Sequence, residues 1–235
     1  MASSESPTRS GKEDEEGSSF NMNEVRTCLS SFTDSGSIES HRYFLARRTA
    51  MEMIRDRGYA VPSSELDLTL EEFRAKYGQE PNVERLELVA SKTSDSAKKL
   101  RLKFVGSAKI NVDWVRQLAI PYSTARIDMI LVVEGKVTSQ ARKAMELLKF
   151  KVEVFLIGDL LVNITKHVLM PVHQVLTSEE KEKLLKKFSV GEKQLPRLLE
   201  EDAFVRYYGL EKGQIVKFSY SSGVADGHFT YRCVR

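Results

Sequence analysis

Cysteine is nearly absent from this chain: two residues in 235, Cys28 and Cys233, at opposite ends of the sequence. That excludes a disulfide framework, and the four scattered histidines form no zinc-binding spacing with them. Long apolar runs are missing too. None approaches the ~20 residues that span a bilayer, and residues 1–19, rich in Ser, Gly and Glu, have no apolar centre such as a secretory signal needs. The chain is therefore expected to be soluble and intracellular, with no metal, no cofactor and no membrane partner. Charge of one sign is also lacking, since 36 Lys and Arg stand against 33 Asp and Glu. A net +3 falls short of the basic excess of a dedicated nucleic-acid binder. Catalytic signatures are absent as well: no G-x-S-x-G, no G-x-G-x-x-G, and no phosphate loop, because Gly135-Lys136 lacks a glycine five residues earlier. His167 and His173 have no orienting acid or nucleophile in their pattern and read as structural.

What is there begins with apolar content. A hydrophobic share of 41% over 235 residues is enough for one large or two small cores. Residues 1–38 combine low hydrophobicity with the acidic patch 13–16 and read as a disordered extension, either a docking tail or a solvated terminus; Val25, Leu29 and Phe32 have the spacing of a short helical turn. From Glu39, Tyr43, Ala46, Ala50 and Ile54 recur at helical spacing until Gly58, with Arg42, Arg47, Arg48 and Arg55 predicted on a solvated opposite face. Thr69 and Glu72 form a capping box before the stripe Leu70, Phe73, Tyr77, which predicts a second helix packed on the first. Alternation then gives two strands, around Leu86, Leu88, Ala90 and around Leu100, Leu102, Phe104, with a polar turn over 91–96. Asn111 caps a helix holding Val115 and Leu118, beside Trp114, which is read as core rather than a base-stacking platform. Residues 127–133 are apolar enough for a strand buried on both faces; a helix from Thr138 or Ser139 to Lys149 and a strand over 152–157 complete a β-α-β unit. Residues 39–158 are thus predicted to be an α/β domain, a mixed sheet with helices.

Residues 159–235 read as a small α+β domain. It opens with a predicted apolar strand, 168–170, closed by Pro171. Thr177 and Glu180 cap a helix with Leu184, Leu185 and Phe188 on one face; Gln194-Leu-Pro-Arg is extended; Asp202 to Gly209 brackets a short helix. Strands over 215–220 and 228–234 flank a glycine-bearing turn at 221–227.

One arrangement imitates a nuclease. Asp128 followed by Glu134-Gly-Lys136 has the acid and E-x-K order of a metal-holding site. Along one extended strand these carboxylates lie about 20 Å apart, whereas one metal needs both oxygens within ~2–2.6 Å. Only a sharp break between them rescues this alternative, so no catalytic residue is assigned.

The phrases H-V-L-M-P-V-H, K-Q-L-P-R, D-A-F-V-R-Y-Y-G-L-E-K-G-Q-I-V-K and T-Y-R resemble the C-terminal assembly domain of the fifth subunit of eukaryotic nuclear RNA polymerases, and the archaeal RNA polymerase counterpart that consists of this domain alone. R-D-R-G-Y, L-D-L-T-L-E-E-F and L-L-V-N-I-T-K-H extend the resemblance to the N-terminal jaw domain of the eukaryotic subunit. It implies a nuclear, non-catalytic subunit whose C-terminal domain anchors to the largest subunit and whose jaw helps hold downstream duplex DNA. On matching positions it implies subunit contacts at His167, Pro171, His173, Arg197, Arg206 and Arg232. It also implies weak phosphate contacts around Lys136, Thr138, Ser139 and Lys143, where Gln140 replaces the proline usual in that loop. E-S-H-R-Y-F-L-A-R-R, D-S-A-K-K, F-K-V-E-V-F and Y-R-C-V are similar to the plant form used by RNA polymerase V in RNA-directed DNA methylation and gene silencing. The alternatives are the fifth subunit shared by polymerases I, II and III, and a free-standing adaptor or DNA-binding module.

Overall fold

The computed structural model describes residues 34, 36–122, 127–220 and 227–235. Most of the extension expected over 1–38, with Cys28 and the helical turn expected at Val25, Leu29 and Phe32, and residues 221–226 of the turn expected over 221–227 lie outside the described residues. Residues Ser37–Arg235 form one compact unit. Among the described residues no helix is long and apolar enough to cross a membrane.

The unit is built on helix α1, Ile38–Asp56, whose N-cap Ser37 hydroxyl accepts from the Ser40 amide. Helix α2, Ser63–Leu66, and helix α3, Leu70–Tyr77, pack across it, α3 beginning with the predicted capping box of Thr69 and Glu72 and ending at Gly78. Phe44 meets Phe73 edge-on at 5.7 Å. The expectation of a solvated cationic face holds for Arg48 and Arg55, which are exposed, and fails at Arg47. Arg47 is buried, because α2 brings Glu65 to 2.7 Å of its guanidinium and the Tyr77 ring lies 5.3 Å from it. Ser40, Thr49 and Glu52 are buried on the same helix, so α1 is enclosed nearly all round.

Strand β1, Leu88–Lys92, pairs antiparallel with β2, Asp95–Val105. The hairpin turn is tighter than predicted, Thr93 and Ser94 only, with a register shift beside it. From β2 the chain passes through α4, Val112–Ala119, to β3, Ile127–Val133, then through α5, Ser139–Glu146, to β4, Val152–Leu156. Strands β2, β3 and β4 are parallel, and the sheet order is β1-β2-β3-β4. The α5 helix stops a turn before Lys149, with Leu147 as its C-cap. Central β3 shows the period-two logic of a strand covered on both sides: Ile130 and Val132 join the core under α1, while Met129, Leu131 and Val133 join the core under α4 and α5.

The second sheet has the order β5-β7-β8-β6, with β5 at Val172–Val175, β6 at Arg197–Leu198, β7 at Ile215–Ser219 and β8 at Phe229–Val234. Helix α6, Ser178–Phe188, carries the second predicted capping box, and α7, Ala203–Tyr208, runs from Asp202 to a left-handed Gly209. The expected strand at 168–170 is instead a turn, in which the Met170 amide donates to the His167 carbonyl and the Leu169 amide to His167 Nδ1. Pairing starts only after Pro171, whose ring nitrogen has no hydrogen to give a ladder.

The two sheets are joined through Arg57, one residue beyond α1. Its side chain is 7% exposed and makes a fork with Glu153 of β4, at 2.7 and 3.2 Å. The same guanidinium donates to the carbonyls of Arg206 at 2.6 Å and Tyr207 at 2.8 Å at the end of α7, the Arg206 carbonyl also accepting the Gly209 amide. Gly209 is required here twice over: its φ is +63°, and a Cβ would sit 3.0 Å from the Arg57 guanidinium carbon. Beside this lock, Tyr207 donates to Asp56 at 2.9 Å, and Asn163 donates to both Tyr207 and Glu52. Lys166 closes the cluster on Glu52. Burial raises the Tyr207 hydroxyl pKa, and its bond to Asp56 raises it further, so the phenol remains a donor.

Removing the guanidinium leaves Glu153 with Lys151 alone and takes a donor from the Arg206 and Tyr207 carbonyls. Arg57→Ala is expected to destabilise the chain by about 3 kcal/mol, read by urea unfolding, and an unchanged midpoint would contradict the lock. Burial works to raise the Glu153 pKa, but Arg57 and then Lys151 outweigh it and hold the carboxyl below its ordinary 4.5. Its contribution is therefore complete above pH 4.5 and is lost as the pH falls through the lower folded value. Glu153→Gln is expected to flatten the acid limb of the stability curve.

Candidate functional site

Two surfaces carry the residues singled out from sequence. The first is the segment joining β3 to α5. Glu134 leaves the sheet toward Tyr43 and Arg42, the latter at 3.8 Å; burial, and then the Glu134 charge and hydrogen bond, push the Tyr43 hydroxyl up to about 12. At Gly135 the chain passes so close to its neighbour that a Cβ would lie 2.6 Å from the Ala108 carbonyl oxygen and 2.9 Å from that of Ser107. The contact continues as a parallel bridge: the Ile110 amide donates to the Lys136 carbonyl, and the Thr138 amide to the Ile110 carbonyl.

This loop separates the four expected phosphate-facing residues. The Thr138 hydroxyl accepts the Ala141 amide at 3.1 Å and is occupied in capping α5. Lys136 and Ser139 are exposed on the loop and the first turn. Lys143, one turn on, also lines the groove between α4 and α5. The two acids of the nuclease-like pattern each have an internal partner at opposite ends of β3: Asp128 accepts the Lys151 amide at 3.0 Å, and Glu134 faces Tyr43. Among the described residues no three His, Cys, Asp or Glu side chains converge on a point where a metal could sit.

The second surface belongs to the C-terminal half, and here too the predicted residues divide. His173 is half-buried, with its ring 4.8 Å from both Phe204 and Tyr208 and its Nδ1 3.4 Å from the Pro171 carbonyl. His167 is exposed, holding the turn through the Leu169 amide. Arg206 is committed inside the chain: it donates to the Val154 carbonyl at 2.7 Å, pairs with Asp159 at 3.1 Å and stacks 4.5 Å from the Phe155 ring. In doing so it covers the open edge of β4, a backbone edge that otherwise invites another strand. The Arg206 side chain, expected to contact another subunit, thus also has partners within the chain. Arg197 and Arg232 are both exposed, yet Arg197 stands opposite Cys233 in the β6–β8 register, so the two arginines project from opposite faces of the sheet.

What sequence reasoning missed is an apolar band. Val162, Val168, Leu169 and Val172 are 70, 94, 76 and 68% exposed, on the segment around His167 and the first residue of the edge strand β5. Reading 168–170 as a strand concealed it, since a strand would have turned alternate side chains inward. The signal available was the proline after Met170, which shifts pairing to the residues beyond.

Comparison with known proteins follows this division of the chain. Residues 37–120 match the family described as RNA polymerase Rpb5, N-terminal domain, and residues 162–234 match RNA polymerase Rpb5, C-terminal domain. The chain is 51% identical over 209 residues to DNA-directed RNA polymerase V subunit 5A of Arabidopsis thaliana, covering 88% of this chain and 94% of that one. It is 51% identical over 200 residues to subunit 5B of RNA polymerases IV and V from the same plant, covering 84% and 92%. Identity falls to 35% over 205 residues with subunit RPABC1 of polymerases I, II and III from Caenorhabditis elegans, covering 84% and 97%.

The close approach at Gly135 supplies a direct check on the loop. Gly135→Ala must push the backbone at 107–108 away, and a loss of about 1–3 kcal/mol is expected in urea unfolding. A neutral substitution would mean that the loop does not hold this path.

Proposed function

The chain belongs to the Rpb5 family of RNA polymerase subunits, and on that premise we propose that it is a non-catalytic subunit of a nuclear DNA-directed RNA polymerase. Its two parts then have separate tasks: residues 159–235 anchor to the largest subunit, and residues 39–158 form a jaw beside downstream duplex DNA. The observation that carries the anchoring role is the exposed band of Val162, Val168, Leu169 and Val172. Apolar area of this kind gains when another protein removes it from water. Pro171 and the exposed His167 adjoin this band in sequence, and the exposed Arg197 and Arg232 of the same part of the chain are further candidate contacts.

For the jaw, Lys136 offers an exposed cation at a loop braced by Gly135, and Ser139 adds a hydroxyl at the first turn of α5. Thr138 contributes by holding the helix start, and Lys143 adds charge one turn farther on. Such groups meet phosphates without reading bases, which gives weak, salt-sensitive contact. The polymerase we favour is plant polymerase V, acting in RNA-directed DNA methylation, because identity to the subunits of that name is higher than to the shared subunit.

Tagged purification from plant nuclei at moderate salt, with mass spectrometry, tests this reading. One polymerase V largest subunit recovered in near-equal amount is expected. Several different largest subunits would assign the chain to a shared role, and none would overturn the proposal. Replacing Val168 and Leu169 by Asp is expected to abolish recovery while leaving the chain folded, since both side chains stand in water already. Lys136→Ala should leave assembly intact and lower the salt slope of DNA retention by about one.

A further inference from the structure

Helices α4 and α5 connect successive parallel strands and lie on the same face of the first sheet, where Val115, Leu118, Ala141 and Met145 bury their inner sides. Between their outer sides runs an open groove of about 670 Å³. Both helices end on an apolar residue where a glycine or a polar group is usual: Ile120 caps α4 and Leu147 caps α5, 72% and 86% exposed. Each helix returns the chain against the strand direction, so these two side chains stand at matching ends. The walls behind them are apolar, from Val112, Ala119, Ala144 and Leu148.

The charges lining this groove are of one sign. Arg116 and Lys143 contribute to its walls, and no acid does. Arg116 shares its charge with Asp113 at 3.1 Å, whereas Lys143 has no ion pair among the described residues. An apolar channel bounded by two parallel helices, with cations midway along and hydrophobic caps at one end, has the shape and polarity of a seat for a third helix.

We propose that this groove docks an amphipathic, acidic helix from another protein, its apolar side chains settling between Ile120 and Leu147 and a carboxylate meeting Lys143. The assignment is independent of the anchoring band, which lies in the other half of the chain. Polar lining confined to Gln140, Arg116 and Lys143 sets the specificity: an uncharged apolar helix would leave the ammonium group partly desolvated without a partner, and a basic helix would be repelled.

The test uses the isotopically labelled full chain and a synthetic probe, an amphipathic peptide of about 16 residues with Leu on one face and Glu along its borders. Amide shifts are expected to cluster at 112–120 and 140–148. Leu147→Ser, at a side chain already in water, should weaken binding about tenfold, and Lys143→Gln about threefold, with the rest of the spectrum unchanged. A peptide with Lys in place of Glu should not bind. Shifts located elsewhere, equal binding of the Lys peptide, or no shifts at all would overturn the proposal. Concentration-dependent shifts in the same residues without peptide would assign the groove to a second copy of the chain and overturn it equally.

Discussion

The fold depends on where one guanidinium goes. Arg57 leaves the end of α1 and is met by a carboxylate from the first sheet and by two backbone carbonyls from the last helix of the second. A lysine in that position would offer a point charge, whereas the planar fork satisfies Glu153 side-on and still has donors for Arg206 and Tyr207. Burying so many polar groups is favourable only when all of them are paired. That requirement fixes the backbone at Gly209, fixes Tyr207 against Asp56 and Asn163, and places α7 on α1. The second sheet therefore has one orientation on the first, set by hydrogen-bond geometry rather than by apolar contact alone.

The exposed surfaces follow from this arrangement. The α1 side of the first sheet is occupied by α3, the link to the second sheet and α7, and the open edge of β4 is closed by Arg206. The opposite side, with α4 and α5, is left to solvent, as is the band at 162–172 in the second half. Each half thus presents an apolar surface to the outside, while the join between the halves is held by the Arg57 hydrogen bonds.

Much of the fold was legible in the sequence because local signals agree with tertiary need. The capping boxes at Thr69 and Thr177, the caps at Asn111 and Thr138, and the doubly buried β3 all appear where residue pattern put them. The failures have a common cause. The Arg47 position on α1 and the stretch 168–170 were read from local pattern, but their state is decided by distant partners: α2 and Glu65 for the arginine, the Pro171 stop and the turn around His167 for the valine and leucine. The bond from Arg206 to the Val154 carbonyl was not legible, since nothing in a sequence shows that this carbonyl needs a donor. Gly135 carried no local signal either; its need comes from the distant Ala108 carbonyl.

The lock at Arg57 also orders events in time. Its carbonyl partner on Tyr207 lies 150 residues further along the chain, and a ribosome makes the N-terminal parts first. During synthesis the first sheet is complete long before α7 exists. Until then the guanidinium has only Glu153 and water, and the end of α1 lacks its final cover. About the last eighth of the polypeptide therefore finishes a structure begun in the first quarter, so that a chain interrupted before Arg206 leaves the Arg57 guanidinium without its carbonyl partners.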